Sequence, residues 1–424
     1  MTRYSDTRYS SPRPRSRPSR SAARRRAANR RAGVIVVTGL VAFALGFLLL
    51  WSAGSWMRGG EGFPGGGGDE IAAAPVALQV KGDYEIEPLV DLRQLRDLSY
   101  VPVKGLYMTS YAAASPEILD KMIGIADRTE INAFVIDVKD DLGTVAFDAD
   151  VDLAKQEGLI EARIKDIDGL IAKLREHDIT PIARVVCFKD DLLATKRPDL
   201  AVMHQSGEIW KDFKELSFTN PYNHEVWEYL VQVAEEAARH GFREIQFDYV
   251  RFPSDGKISE AVYPGENSSK EDAIAAFLAY ARPRLEKLGV WLSADVFGIT
   301  VNPNNAKDSE TIGQNVAKIS QNVDIVCPMV YPSHYGTGFY GLENPNASPY
   351  ELITAAMKDT KKVLAGTGAM GRPWLQDFSL HGVEYGVAEV KAQIKASEEQ
   401  GFGEWILWDP SLKYVEGALR PQEG

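Results

Sequence analysis

The chain has 424 residues, 45% of them hydrophobic, 25% charged and 10% aromatic, a globular composition long enough for one large core or two medium ones. Eleven arginines against the single acid Asp6 give residues 1–32 a net charge of +10, which leaves −21 of the whole-chain −11 downstream. So acidic a downstream surface repels phosphate backbones and excludes a nucleic-acid partner for that part of the molecule.

In chain order, residues 1–32 read as an Arg-rich, disordered cytoplasmic tail. Residues 33–56 (GVIVVTGLVAFALGFLLLWSAGSW) carry no charge and have the length of a transmembrane helix. Trp51 and Trp56 stand at the expected interface, and the arginine excess on the N-terminal side places the remainder outside the cytoplasm. A cleaved signal peptide is the alternative, and it exports the large domain equally well. Residues 57–99 hold the Gly-rich run GGEGFPGGGGDE and read as a flexible linker and lead-in segment.

From residue 100 to 415, short apolar runs alternate with amphipathic stretches. Strands are predicted at 103–110, 133–140, 180–188, 243–250, 290–298, 324–332, 362–370 and 403–410. Helices are predicted at 116–129, behind Ser115 as N-cap, and at 164–177, 225–240, 271–288, 312–321, 350–361 and 383–399. Eight such alternations predict a (β/α)8 TIM barrel. A doubly wound open sheet would want a Gly-rich phosphate loop after an early strand, and the first turn, TSYAAASPE, lacks one. The long polar segments 189–221, 251–269 and 331–348 then fall at the C-terminal face, where barrels build their sites. Residues 416–424 read as a C-terminal tail.

Charges recur at that face. Asp137 and Lys139 end strand 2, two apart and hence on one face; Arg184 lies on strand 3, Gln246 and Asp248 on strand 4, and Asp295 on strand 5. On strand 4, Ile245 and Phe247 alternate with Gln246 and Asp248, so the polar pair faces the barrel axis. The same phase on strand 5 sends Leu292, Ala294 and Val296 outward and Ser293 and Asp295 inward. Two carboxylates thus converge from adjacent strands at matching depth, in a pocket open to solvent. Glycosidic cleavage needs one ionised carboxylate and one that holds a proton. Arg184, Lys139 or Arg251 would keep Asp248 ionised, while a drier, aromatic-flanked Asp295 would have its pKa raised. Asp137 and Lys139 read equally well as an internal ion pair, and Asp409, before Pro410, as a turn residue.

Trp374, Trp408, Tyr331, Tyr335, Phe339 and Tyr340 fall at predicted strand ends or their loops, with His334 beside them and Trp210 in the loop after strand 3. Sugar rings present apolar C–H faces to such side chains and hydroxyls to charged or amide partners. Cys187 and Cys327, each within an apolar run, are expected as buried free thiols, with a disulfide between them as the alternative. Six histidines form no HxH or HExxH pair, and no GxSxG elbow occurs, so no cofactor or zinc site is expected.

The run FDYVRFPSDG (247–256), with ARVVCFKDDLLA (183–194), LSADVFG (292–298) and CPMVYPSHY (327–335), resembles a bacterial TIM-barrel family of glycosyl hydrolases. That family is related in architecture to the amylase-like glycosidases. The resemblance spans residues 100–415 and implies a glycan substrate, with Asp248 as nucleophile and Asp295 as proton donor. Amylase-like barrels usually carry Glu where Asp295 stands. A pattern of two glutamates after strands 4 and 7 is missing, since predicted strand 7 runs into Gly366-Thr367-Gly368. The resulting expectation is a hydrolase of cell-envelope or extracellular polysaccharide. The alternative from another class is a glycan-binding barrel without turnover. Substrate contacts are expected from Asp137, Lys139, Arg184, Gln246, Arg251, Tyr331, His334, Trp374 and Trp408.

Overall fold

The computed structural model describes residues 100–422. The tail, apolar span and linker expected at 1–99 lie outside the described residues. Among the described residues, no helix is long and apolar enough to cross a membrane.

Eight parallel strands close on themselves. They are β1 (Lys104–Met108), β2 (Ala133–Lys139), β3 (Thr180–Val186), β4 (Glu244–Asp248), β5 (Trp291–Phe297), β6 (Ile325–Met329), β7 in two pieces (Met370–Gly371 and Trp374–Gln376) and β8 (Trp405–Trp408). Closure runs through Met329↔Trp374, Leu375↔Leu407 and Gly105↔Ile406. The helices between them include α1 (Pro116–Ala126), α2 (Ile167–Glu176), α3 (His224–Arg239), α4 (Lys270–Glu286), α5 (Pro349–Leu364) and α6 (Val387–Glu399). This is the expected TIM barrel. Ser115 caps α1, its hydroxyl accepting from the Ile118 amide with Pro116 just inside the helix.

Alternation along the strands sorts the core into two layers. Ile245, Phe247, Leu292, Ala294 and Val296 pack outward against the helices. Val135, Ile182, Ile325, Cys327 and Ile406 fill the cylinder. Both cysteines are buried free thiols. The lower end of the cylinder holds an ion network: Arg372, fully buried, donates to Glu244 at 2.8 and 2.9 Å and to Glu404 at 3.0 Å.

Two local expectations are corrected. Predicted strand 7 at 362–370 is displaced: Lys362–Leu364 finish α5, Gly366 and Gly368 turn with φ 77° and 83°, and the strand starts at Met370. A short apolar run such as Val363-Leu364-Ala365 suits a helix face as well as a strand, and its neighbours decided for the helix. β2 also shifts register between Asp137 and Lys139. The bulge separates two side chains that a regular strand would put on one face. The segment read as a C-terminal tail packs back on the barrel as far as described, with Arg420 paired to Glu130 at 2.7 Å.

Candidate active site

A cavity of about 90 Å³ opens at the C-terminal mouth of the barrel, lined by Tyr107, Arg184, Asp248, Tyr249, Arg251, Phe297, Met329, Tyr331, Trp374 and Trp408. It continues outward into a cleft of about 420 Å³ between the loops after β4 and β6, where Ser254, Asp255, His334 and Tyr335 join the wall.

Arg184 organises the floor. Its Nε donates to Asp248 Oδ2 at 2.9 Å, its Nη2 to the same oxygen, and its Nη1 to Asp137 Oδ1 at 2.5 Å. Burial works against the guanidinium charge, but the flanking Asp137 and Asp248 outweigh it and raise the pKa. Asp137 also accepts from the Tyr107 hydroxyl at 2.6 Å, and burial pushes its own carboxyl up despite Arg184. At the end of β4, Tyr249 adopts φ 47°, a strained conformation for a bulky residue. That turn ends the strand directly after Asp248, whose Oδ1 accepts from the Tyr249 amide.

Asp295 faces inward from β5 as expected, yet it is fully buried and lines no part of the cavity. Its Oδ1 accepts from Trp374 Nε1 at 2.7 Å and from Gln246 Nε2 at 2.9 Å, while Oδ2 has no partner. Burial, then the Asp248 charge, raises its pKa well above the carboxylate range, in the expected direction. The expectation that both carboxylates share one solvent-accessible pocket is therefore corrected. Trp374 lines the cavity while fastened to Asp295, and Gln246, buried without cavity exposure, orients the same carboxylate rather than contacting a ligand.

Lys139 is also misplaced by the expectation. The bulge carries it to a fully buried pair with Asp190 at 2.8 Å, with a further bond to the Val186 carbonyl, away from the cavity. The expected internal pair between Asp137 and Lys139 does not form: Lys139 pairs with Asp190, and Asp137 pairs with Arg184. His334 is exposed and lines the outer cleft but not the inner cavity. Trp210 is buried beneath Gly256 and donates to the Lys257 carbonyl, so it contributes packing. Asp409 binds the Ser411 and Lys413 amides, the turn role expected for it.

The aromatic wall is continuous. Tyr331 and Trp408 lie 5.1 Å apart at 32°, Phe378 packs 5.3 Å from Trp408, and Tyr107 stands edge-on to Trp374 and Trp408. Across Trp408 lies a second groove, about 560 Å³, lined by Asp377, His334, Phe378 and Asp409 among others. Asp377 directly follows β7. Burial pushes its carboxyl up to about 7, and its Oδ1 has no partner. Sequence reasoning missed it because misplaced strand 7 ended at a glycine turn. Tyr107 and Phe297 were missed too, although strand phase alone would have flagged Tyr107 as inward. Among the described residues, no group of three His, Cys, Asp or Glu side chains is arranged to hold a metal ion.

Residues 105–414 match the model of the family described as "putative glycosyl hydrolase domain", almost the whole of the barrel. The chain belongs to this family. Its barrel is thus a glycosyl hydrolase domain, as the sequence resemblance implied. No curated protein matches the chain. Among solved structures, a hypothetical protein from Ruminiclostridium thermocellum is 40% identical over 45% of this chain and 97% of that one, with a TM-score of 0.42. An endo-β-1,4-mannanase from Thermotoga petrophila is 12% identical over 74% of this chain and 69% of its own, TM-score 0.49. An exo-β-N-acetylglucosaminidase from Vibrio harveyi is 15% identical over 76% of this chain and 55% of its own, TM-score 0.48.

Proposed function

We propose that the chain is a glycoside hydrolase, held at the membrane by residues 33–56, that cleaves a cell-envelope or extracellular polysaccharide. The observation that carries this reading is Asp248, the one carboxylate among the described residues that lines the innermost cavity, set in a wall of Tyr331, Trp374 and Trp408. Aromatic faces hold sugar rings, and a carboxylate on one side of the anomeric carbon stabilises the developing oxocarbenium charge or attacks it. The leaving oxygen needs a proton. Among the described residues three carboxyl groups have their pKa raised by burial, Asp137, Asp295 and Asp377; Asp137 is bonded to Arg184 and Tyr107, and of the three Asp377 lines an open groove. In this reading Asp248 works at the anomeric carbon, Asp377 supplies the proton across Trp408, and Asp295 holds Trp374 in place.

The test is reducing-end release from a panel of polysaccharides, peptidoglycan included, by wild type and by Asp248→Asn, Asp377→Asn and Asp295→Asn variants. Loss of release in Asp248→Asn with retained binding supports hydrolysis. The full burial of Asp295 favours a second reading, glycan binding without turnover. Binding that is unchanged in Asp248→Asn, with no release by wild type from any glycan, would establish that alternative.

A further inference from the structure

Among the described residues two arginines are buried to 5% exposure or less, and they differ in one respect. Arg372 is enclosed by the carboxylates of Glu244 and Glu404. Arg251 has no ion-pair partner among the described residues, and its guanidinium makes a single protein hydrogen bond, from Nη1 to the Phe252 carbonyl at 2.9 Å. Two aromatic rings lie against it instead, with the Tyr249 centroid 4.7 Å and the Phe297 centroid 4.5 Å from its Cζ. Taking a cation out of water without a counter-charge is costly, and the ring faces offset only part of that cost. Burial accordingly pulls the Arg251 pKa down, whereas the carboxylates around Arg372 raise its pKa despite burial.

A guanidinium donates in its own plane, at its edge. With one Nη1 N–H bonded to Phe252, four of the five guanidinium N–H groups of Arg251 remain, those of Nε and Nη2 among them, and the residue lines both the inner cavity and the outer cleft. A fixed, planar pair of N–H donors matches a planar carboxylate in a bidentate pair. Asp248 and Asp255 influence Arg251 through space without pairing with it; Asp255 is exposed at the rim of the cleft.

We propose that Arg251 is the recognition residue for a carboxylate carried by the bound glycan, so that the substrate is an acidic polysaccharide of the uronic-acid or carboxyalkyl-sugar class. This rests on the reading of the cavity as a glycan site and adds the charge of the sugar. The aromatic wall takes the ring faces, Asp248 faces the anomeric carbon, and Arg251 fixes the neighbouring unit by its acid group. The strong negative charge of the chain downstream of residue 32 makes a buried, unpaired cation at the mouth a selective feature, because anions are otherwise repelled from the surface.

The experiment compares binding of acidic glycans (polygalacturonate, alginate, hyaluronan and peptidoglycan fragments) with binding of their carboxyl-reduced counterparts. Free glucuronate against glucose serves as the small probe in thermal-shift titrations. Wild type is expected to bind at least one acidic glycan about 10- to 100-fold more tightly than its reduced form, the range of a charge-assisted bidentate pair. Glucuronate, and not glucose, is expected to raise the melting temperature. Arg251→Gln should abolish the discrimination, and Arg251→Lys, which keeps charge but not the planar fork, should retain a small part of it. Equal binding of acidic and reduced glycans by wild type, discrimination that survives in Arg251→Gln, or no binding of any acidic probe overturns the proposal. A sulfated dextran arm separates carboxylate from general anion affinity; tighter binding of the sulfated polymer than of every carboxylated one also overturns it. Release of reducing ends from neutral glycans alone would leave the hydrolase reading intact and remove this one. Selective acid binding without any release would do the reverse.

Discussion

The indole N–H of Trp374 donates to Oδ1 of Asp295 at 2.7 Å, fastening an aromatic wall of the cavity to a carboxyl group beneath it. The bond ties the second piece of β7 to β5. It gives the buried carboxyl a positioning role toward the wall.

Trp374→Phe keeps most of the ring and removes the donor. Asp295 would then rely on Gln246 alone, leaving part of a fully buried carboxyl unsatisfied, a loss of about 1–3 kcal/mol. The expected outcome is a lower denaturant midpoint with an unchanged slope. Weaker glycan binding should follow, as the ring is freed to tilt.

Arg184→Lys should be far more damaging than charge conservation implies. A single ammonium cannot reproduce the three bonds to Asp137 and Asp248, and two buried carboxylates lose their shared partner. We expect a stability loss of about 3–5 kcal/mol and activity reduced about 100-fold, as Asp248 loses its fixed geometry. Stability within 1 kcal/mol of wild type would refute the central role of this cluster.

Arg372→Leu probes the opposite end of the barrel. Glu244 and Glu404 would lose their common cation in the plugged floor, with an expected cost of about 3–5 kcal/mol in chemical denaturation. Since the network lies away from the mouth, activity per folded molecule should stay near wild type. A specific loss of turnover would show that the floor controls the site.

Asp377 gives a pH signature. Its folded-state pKa of about 7 exceeds the ordinary aspartate value of 3.8, so the native state keeps a proton that the unfolded chain has released. Its contribution is most favourable below pH 4, falls as pH rises toward 7 and then levels off. A three-unit difference corresponds to roughly 4 kcal/mol. Asp377→Asn should flatten the decline in melting temperature between pH 4 and 7. An unchanged pH profile would show that Asp377 titrates in the ordinary range.

Much of the site was legible in the chain because a strand's side-chain period is two. Ile245 and Phe247 set against Gln246 and Asp248 fixed which side chains point at the barrel axis, and the same phase oriented Ser293 and Asp295. Depth was not legible. Whether an inward carboxyl meets solvent depends on what covers it, and Asp295 is covered by Trp374, 79 residues away in sequence. Asp377 stayed hidden because the run Val363-Leu364-Ala365 fits a helix and a strand equally well in isolation.

By itself, the sequence determined the alternation of strands and helices, the inward phase of β4 and β5, and the place of Asp248 at the mouth, since each follows from local periodicity. Only the tertiary structure decided that a bulge turns Lys139 into the outer layer, that Asp295 is sealed, and that Arg251 lies against two aromatic rings with no carboxylate paired to it. Local pattern sets the direction of a side chain. Its partners and its access to water are set by groups that the chain brings together only on closing the barrel.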